Sequence, residues 1–288
     1  MILNQNTEKL KQIKIAGVIL KPNAPEIEDT YLKIKELFEN EGIEIVLEND
    51  SASMIGMKGL TFVEVCLKCD FLVSVGGDGT LISVSRRAYA YEKPVLGIHL
   101  GTLGFLTDIM LKEVPAFIEK FKNNDYRIDK RMMIKAETKS HSYVAFNDIV
   151  ITRKTVNSML KVDARIDGKL FNSYHGDGII VSTPTGSTAY NLSVGGPLVY
   201  PLTNAFIVTP IAPHSLTQRP LVLPANFIIE FKITDPKGAM IIVDGQDSFE
   251  MYEGESIKIA IAQKKAKLIH KCERNYFEVL NDKLQWGN

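Results

Sequence analysis

The spacing of apolar positions changes near residue 126, and that change divides the chain into two expected domains. Before it, short apolar runs alternate with stretches of helical periodicity. Residues 14–20, 43–47, 71–75 and 94–98 are compact runs rich in branched side chains, the pattern of buried strands. Between the first two, Tyr31, Ile34, Leu37 and Phe38 recur at helical spacing within 25–40, and Gly42 supplies a stop. A mixed stretch over 59–68 reads as helical, and helices are also expected from 80 to about 90 and over 112–123. Strands alternating with helices predict a parallel sheet with helices on its faces.

Beyond residue 126 the period falls to two. Residues 131–139 and 142–153 alternate in strand fashion, and Asp167-Gly168 sits between strand residues as a hairpin turn. Further strands are expected at 178–182, 219–222, 227–233, 240–243 and 256–262, with one short helix over 188–193. This half reads as a β-sandwich. In the tail, Phe277, Leu280 and Leu284 share one helical stripe within 276–286, which suits packing back onto the first domain. The expected fold class is therefore α/β plus β. Residues 1–128 form an α/β domain, with 271–288 returning to it, and 129–270 form the β-sandwich.

Composition narrows the function. The 288 residues hold 34 Lys+Arg and 34 Asp+Glu, so the formal charge is zero and a general nucleic-acid binder is disfavoured. The N-terminus is polar and no apolar stretch reaches spanning length, which predicts a cytoplasmic protein without a membrane partner. The three cysteines are an odd number and suggest no disulfide framework. Cys66, Cys69, His270 and Cys272 have the residue types of a zinc site. Cys66 and Cys69 lie in an apolar helical stretch, however, where cysteine serves as a small core residue, so no metal ligand is assigned.

Three stretches carry candidate chemistry. The run 71–75 leads into Gly76-Gly77-Asp78-Gly79-Thr80, a strand, glycine turn and helix start that presents backbone N–H groups to phosphate. Asp78 is out of place in an anion cradle and suits a proton acceptor or metal contact better; its plainer reading is a helix N-cap. A second glycine loop, Gly101-Thr102-Leu103-Gly104-Phe105, follows the next strand, so both loops face one crevice of an open α/β sheet. The third stretch, 176–197, concentrates hydroxyls and glycines around Asp177, Thr185, Ser187, Thr188, Tyr190 and Ser193. These groups suit sugars and phosphates. A turn-rich loop and a helix capped at Ser187 or Thr188 explain only part of that density. No P-loop and no complete Gly-x-Gly-x-x-Gly fingerprint occurs.

Taken together, Gly76-Gly77-Asp78-Gly79-Thr80, Asn147-Asp148, the run 176–197, Pro210 to Leu216 with Arg219-Pro220, and Asp244-Gly245-Gln246 resemble the NAD kinase family in order and over nearly the whole chain. The resemblance implies transfer of a phosphoryl group from ATP, or polyphosphate, to the 2′-hydroxyl of the adenosine ribose of NAD, giving NADP. It implies Asp78 as proton acceptor and Mg²⁺ or another divalent metal accompanying ATP. Gly76, Gly77 and Gly79 hold the donor phosphates on this reading. Dinucleotide contacts fall to Gly79, Asn147, Asp148, Asp177, Thr188, Ala189, Tyr190, Asn191, Leu192, Ser193 and Gln246, with His175 beside them. A homo-oligomer, commonly a tetramer, is implied as well.

Three positions depart from the family pattern. Asn147-Asp148 replaces the usual Asn-Glu, His175 stands where arginine or lysine is common, and His99 stands where asparagine is usual. Three rival readings stand beside this one. They are a lipid or sugar kinase on the same glycine-aspartate turn, a nicotinamide-dependent oxidoreductase, and a non-catalytic NAD or NADP sensor.

Overall fold

Five of the six residues of β1 (Ile15–Leu20) are fully buried, because this strand lies inside a sheet covered on both faces. In chain order it is followed by α1 (Glu28–Asn40), β2 (Glu44–Leu47), α2 (Asn49–Met54), α3 (Phe62–Lys68) and β3 (Phe71–Gly76). Then come α4 (Asp78–Arg87), β4 (Val95–His99), β5 (Ile109–Met110), α5 (Val114–Lys122) and β6 (Arg127–Arg131). The structure is a computed structural model that describes residues 8–101, 104–155 and 158–285. Thr102 and Leu103 of the second glycine loop, and Trp286 at the expected end of the last helix, lie outside these.

The second half carries β7 (Ile134–Glu137), β8 (Ser142–Ala145), β9 (Asp148–Arg153), β10 (Leu160–Ile166), β11 (Lys169–Gly176) and β12 (Gly178–Ser182). A short α6 (Tyr190–Ser193) precedes β13 (Ala205–Ile211), β14 (Leu221–Pro224), β15 (Ile229–Ile233), β16 (Ala239–Val243), β17 (Asp247–Met251) and β18 (Ser256–Ile261). The chain closes with β19 (Ala266–His270) and α7 (Tyr276–Leu284). Two compact units result: residues up to 130 with those from 266 onward, and residues 131–265.

The first unit's sheet has the order β2-β1-β3-β4-β19-β6, with β5 also beside β4. Strands β2, β1, β3, β4 and β19 run parallel. One core gathers Tyr31, Ile34 and Phe38 of α1 and Phe117, Ile118 and Phe121 of α5 against β1, β3 and β4. Burying each such side chain contributes about 1.5–3 kcal/mol. Phe71 stands edge-on to Phe121 with ring centroids 5.0 Å apart, and Phe121 to Tyr126 at 4.6 Å. On the other side, a Cβ at Gly17 would collide with Val65 of α3, so this glycine permits the helix to approach the sheet.

The second unit is a β-sandwich of two six-stranded sheets, β11-β10-β15-β18-β7-β8 and β14-β13-β12-β9-β16-β17. Its core interleaves alternate residues from both, among them Val162, Phe231 and Ile259 from one and Ile149, Val181 and Ile241 from the other. The expected hairpin at Asp167-Gly168 joins β10 to β11, with φ of 52° and 74° at its two residues.

Several elements escaped the hydrophobic pattern, β5, β6 and β17 among them, and three others show why. The polar α2 is held by its cap, Glu48, whose carboxylate accepts from Ser51 N at 3.1 Å. Pro210 masks β13, yet it pairs opposite Ile179 at the start of β12. The strand β19, counted with the second domain from sequence, pairs in parallel with β4. From there the chain runs into α7 within the first unit.

Candidate active site

The strand order of the first sheet reverses direction between β1 and β3, and the carboxyl ends of β1, β3 and β4 line a cavity of about 980 Å³. Ligands of open α/β sheets bind at such switch points. Its walls include Lys21 just past β1, the glycine turn after β3, Thr80 in α4, His99 at the end of β4, and Lys112. One carboxylate, Glu26, also lines it. The glycines divide into two kinds. A Cβ at Gly76 would lie 2.5 Å from Thr80 Oγ1 and 3.1 Å from Lys21 Cβ, so packing requires glycine there. A Cβ at Gly77 or Gly79 would meet nothing within 4 Å. The fold leaves room at these two, and the room opens on the cavity. No side chain caps α4, whose N-cap is Gly77, and an uncapped helix start favours an anion.

Asp78 is not that N-cap. It occupies the first position of α4, and its half-buried carboxylate turns to the second glycine loop. Oδ2 accepts from Phe105 N at 2.7 Å, and Oδ1 accepts from Thr107 N and Thr107 Oγ1, both at 3.0 Å. Leu106 N donates to both oxygens at 3.2 Å. A Cβ at Gly104 would overlap this carboxylate, which is the physical reason for a glycine at that position. The two loops singled out in the sequence are thus joined directly.

Behind that loop lies a buried polar cluster, none of it foreseen. Arg274 Nη2 donates to Phe105 O, and His270 Nδ1 stands 3.3 Å from Asp108 Oδ1. Lys271 N donates to Asp108 Oδ2 at 3.3 Å. Burial alone would raise the Asp108 carboxyl, but His270 and Arg274 outweigh it and hold the group below its ordinary range. Burial, reinforced by Arg274, pushes His270 downward.

In the second unit Asp244 repeats the device. Its carboxylate accepts from Phe146 N and Asn147 N at 2.7 Å and from Asp148 N at 2.9 Å. Asp244 adopts a left-handed φ of 50° and Gly245 follows at 65°, a tight turn that aims the carboxylate inward. Asp148 is buried, and burial together with the charge of Asp244 pushes its carboxyl up to about 7. Asn147 lies against the hydroxyl-rich loop: its carbonyl accepts from Thr183 N at 2.8 Å, and its Oδ1 is buried without a hydrogen-bond partner among the described residues. Hydrogen bonds therefore bring Asn147, Asp148, the 244–246 turn and the start of the 183–196 loop together.

Within that loop the roles separate by burial. Tyr190 and Ser193 are exposed, and Thr188, Ala189 and Leu192 are half-buried. Asn191 is fully buried and is spent internally, donating to Ser187 O and Pro197 O at 3.1 Å and accepting from Thr209 Oγ1 at 2.7 Å. The expected cap at Ser187 or Thr188 is absent; the Ser187 hydroxyl bonds the backbone of Val199 instead. His175 and Asp177 lie at the opposite end of β12 from Thr183, about 17 Å away at 3.4 Å per residue over its five residues. His175 is exposed, and Asp177 faces Arg153 at 3.3 Å. Gln246 is exposed in the 244–246 turn.

Among the described residues no group of three or more His, Cys, Asp or Glu converges as metal ligands. The buried Cys66 and Cys69 thiols are pushed up to about 12 and about 11, chiefly by burial, which suits core residues. No described helix is long and apolar enough to cross a membrane.

Comparison with known proteins bears on what this arrangement serves. Residues 16–126 match the ATP-NAD kinase N-terminal domain, and residues 146–271 match the ATP-NAD kinase C-terminal domain. The chain belongs to the NAD kinase family. The family's NAD kinase from Sulfurimonas denitrificans is 50% identical over 281 residues, 96% of this chain and 99% of that one. The NAD kinase from Wolinella succinogenes is 48% identical over 292 residues, covering 100% of both chains. Two crystal structures from the family share the fold. Yeast NADH kinase complexed with NADH superposes with a TM-score of 0.86 at 27% identity, over 96% of this chain and 89% of that one. An NAD kinase from Archaeoglobus fulgidus in complex with ATP gives 0.76 at 26% identity, over 94% and 98%. The expected family and fold class, a parallel α/β domain with a β-rich domain and a final helix, are both met.

Proposed function

We propose that this NAD kinase family member transfers a phosphoryl group from ATP to the 2′-hydroxyl of the adenosine ribose of NAD, giving NADP. The observation that supports it best is the pairing of an aspartate with an open glycine turn: Asp78 stands between Gly77 and Gly79, and these two glycines line a cavity that also presents Lys21 and Lys112. The turn's amides and the start of α4 hold the donor phosphates, and the lysines offset their charge. Asp78 takes the proton of the attacking hydroxyl, a role that supplies roughly 10²–10⁴-fold in rate. Four donors now fill its lone-pair sites, so one must yield. The Thr107 hydroxyl, which rotates about its C–O bond, is the readiest to leave. Mg²⁺ or another divalent ion enters as part of the nucleotide substrate, where it neutralises phosphate charge; among the described residues no group of three or more His, Cys, Asp or Glu converges as metal ligands.

NAD is held by Asn147, Asp148, Gln246 and the accessible part of the loop, Thr188, Ala189, Tyr190, Leu192 and Ser193. Asn191 shapes that loop from within. His175 and Asp177, at the other end of β12, contact a more distant part of the extended ligand. We read the chain as a homo-oligomer, a tetramer, which sedimentation equilibrium checks. The deciding assay incubates the protein with NAD and Mg²⁺ and a panel of ATP and polyphosphate, and assays NADP. Absence of product with every donor, alongside intact NAD binding, would favour the sensor reading and overturn the kinase one.

A further inference from the structure

We propose that His99 is a donor-phosphate contact: from the end of β4 its ring hydrogen-bonds an oxygen of the donor's phosphate chain and so sets affinity for that chain. This rests on the reading of the first unit's cavity as the donor site, and adds to it a residue that the glycine turn does not imply. His99 is 3% exposed, and neither ring nitrogen has a hydrogen-bond partner among the described residues. A buried polar group left so is costly, and the structure tolerates it where a ligand supplies the partner. His99 is among the residues that line the cavity, with Gly76, Gly77, Gly79 and Thr80.

Its position is coupled to the phosphate turn. His99 stands directly opposite Gly76 in the β3–β4 register, and Leu100 N donates to Gly76 O at 3.0 Å. On its other side the register partner is Met110, which competes for no hydrogen bond of consequence. Lys21 and Lys112 line the same space, and Glu26 alone among its walls is acidic, so the balance there favours an anion. The imidazole N–H adds direction to what the lysines supply as charge. An apolar packing role would leave both nitrogens stranded in a strand position that leucine or methionine could fill without loss.

The test is calorimetric titration of wild type and His99→Ala with the Mg²⁺ complex of a non-hydrolysable ATP analogue, with tripolyphosphate, and with adenosine. His99→Ala is expected to weaken the analogue and tripolyphosphate by about tenfold, leave adenosine unchanged, and keep the KM for NAD within about twofold, the scale of one hydrogen bond to a charged group. His99→Gln, which keeps an N–H donor, should recover most of the loss, and His99→Phe, which fills the space without one, should not. Should His99→Ala fail to fold, the Gln and Phe variants carry the same comparison. Equal analogue affinity in folded wild type and folded variants overturns the proposal, as does a loss that falls equally on adenosine. Gly77→Val distinguishes failure at this residue from failure of the donor site, since a Cβ there meets no atom of the fold within 4 Å. Weakened analogue binding in Gly77→Val with none in the His99 variants refutes the histidine alone. No change in either refutes the donor-site reading too.

Discussion

Asp78 in the first unit and Asp244 in the second perform the same backbone task. Each carboxylate gathers three consecutive amides, 105–107 in one case and 146–148 in the other. What differs is the company. Asp78 stands between two glycines that leave open space beside a cavity with two lysines. Asp244 stands beside a second, buried carboxyl, and its charge falls on that neighbour. An aspartate with three amides is first of all a clamp. On the proposed reading, access to a hydroxyl substrate, rather than the contacts themselves, would make Asp78 a base and leave Asp244 a support.

The largest test of this contrast is Asp78→Asn. Loss of a base lowers kcat by about 10²–10⁴-fold while NAD affinity stays within a few-fold. Hydrogen exchange at 105–107 separates the two roles: protection kept with turnover lost marks a base, whereas retained turnover sinks that assignment. Asp244→Ala should act in the opposite sense, on stability and on NAD binding together. Three amides lose a charged acceptor, so a destabilisation of about 2–3 kcal/mol is expected in urea unfolding, with a raised Kd for NAD. An unchanged midpoint would deny Asp244 its supporting role. Gly104→Ala displaces the Asp78 carboxylate without touching its chemistry. A drop in kcat of about tenfold is expected from misplacing the group, with KM for NAD little altered.

A last test is a pH dependence. Because the folded chain holds Asp148 up to about 7, against an ordinary value near 3.8, it binds more protons than the unfolded chain between those values. Stability should therefore fall as pH rises through that window, by at most about 1.4 kcal/mol per unit, and level off above it. Asp148→Asn removes this slope, so thermal midpoints of the two proteins should diverge between pH 5 and pH 8. Parallel curves would mean that Asp148 is not strained by its neighbour.

Much of this was legible before any coordinates. Alternating short apolar runs and helical stripes located β1, α1, β3 and β4, and the Asp167-Gly168 turn located a hairpin, because each is a local signal. β19 was assigned to the wrong neighbours by proximity in the chain; only pairing across some 170 residues, with β4, puts it in the first sheet. The glycine turn announced itself through residue types, and the Asn147-Asp148 pair through the family resemblance. The clamp on Asp78 did not, since its donors are backbone amides of Phe105, Leu106 and Thr107, whose side chains carry no hint of it. Asp244 had a signal, an Asp-Gly turn in a β-rich domain, but its target lay about a hundred residues away. Asn191, expected at the dinucleotide through the family resemblance, has its amide engaged by Ser187, Pro197 and Thr209, an internal role that residue type alone does not reveal.

The open space at Gly77 and Gly79 also bears on how this turn would drift over generations. A laboratory population selected only for soluble, well-folded protein would retain Gly76, where any methyl group strikes Thr80, yet would let the other two wander. Alanine at Gly79 would even be rewarded, since it stiffens the first turn of a helix. A population required to grow on its own phosphorylated cofactor would hold all three. The gap between those two histories, read by sequencing alone, measures how much of this loop the ligand rather than the fold maintains.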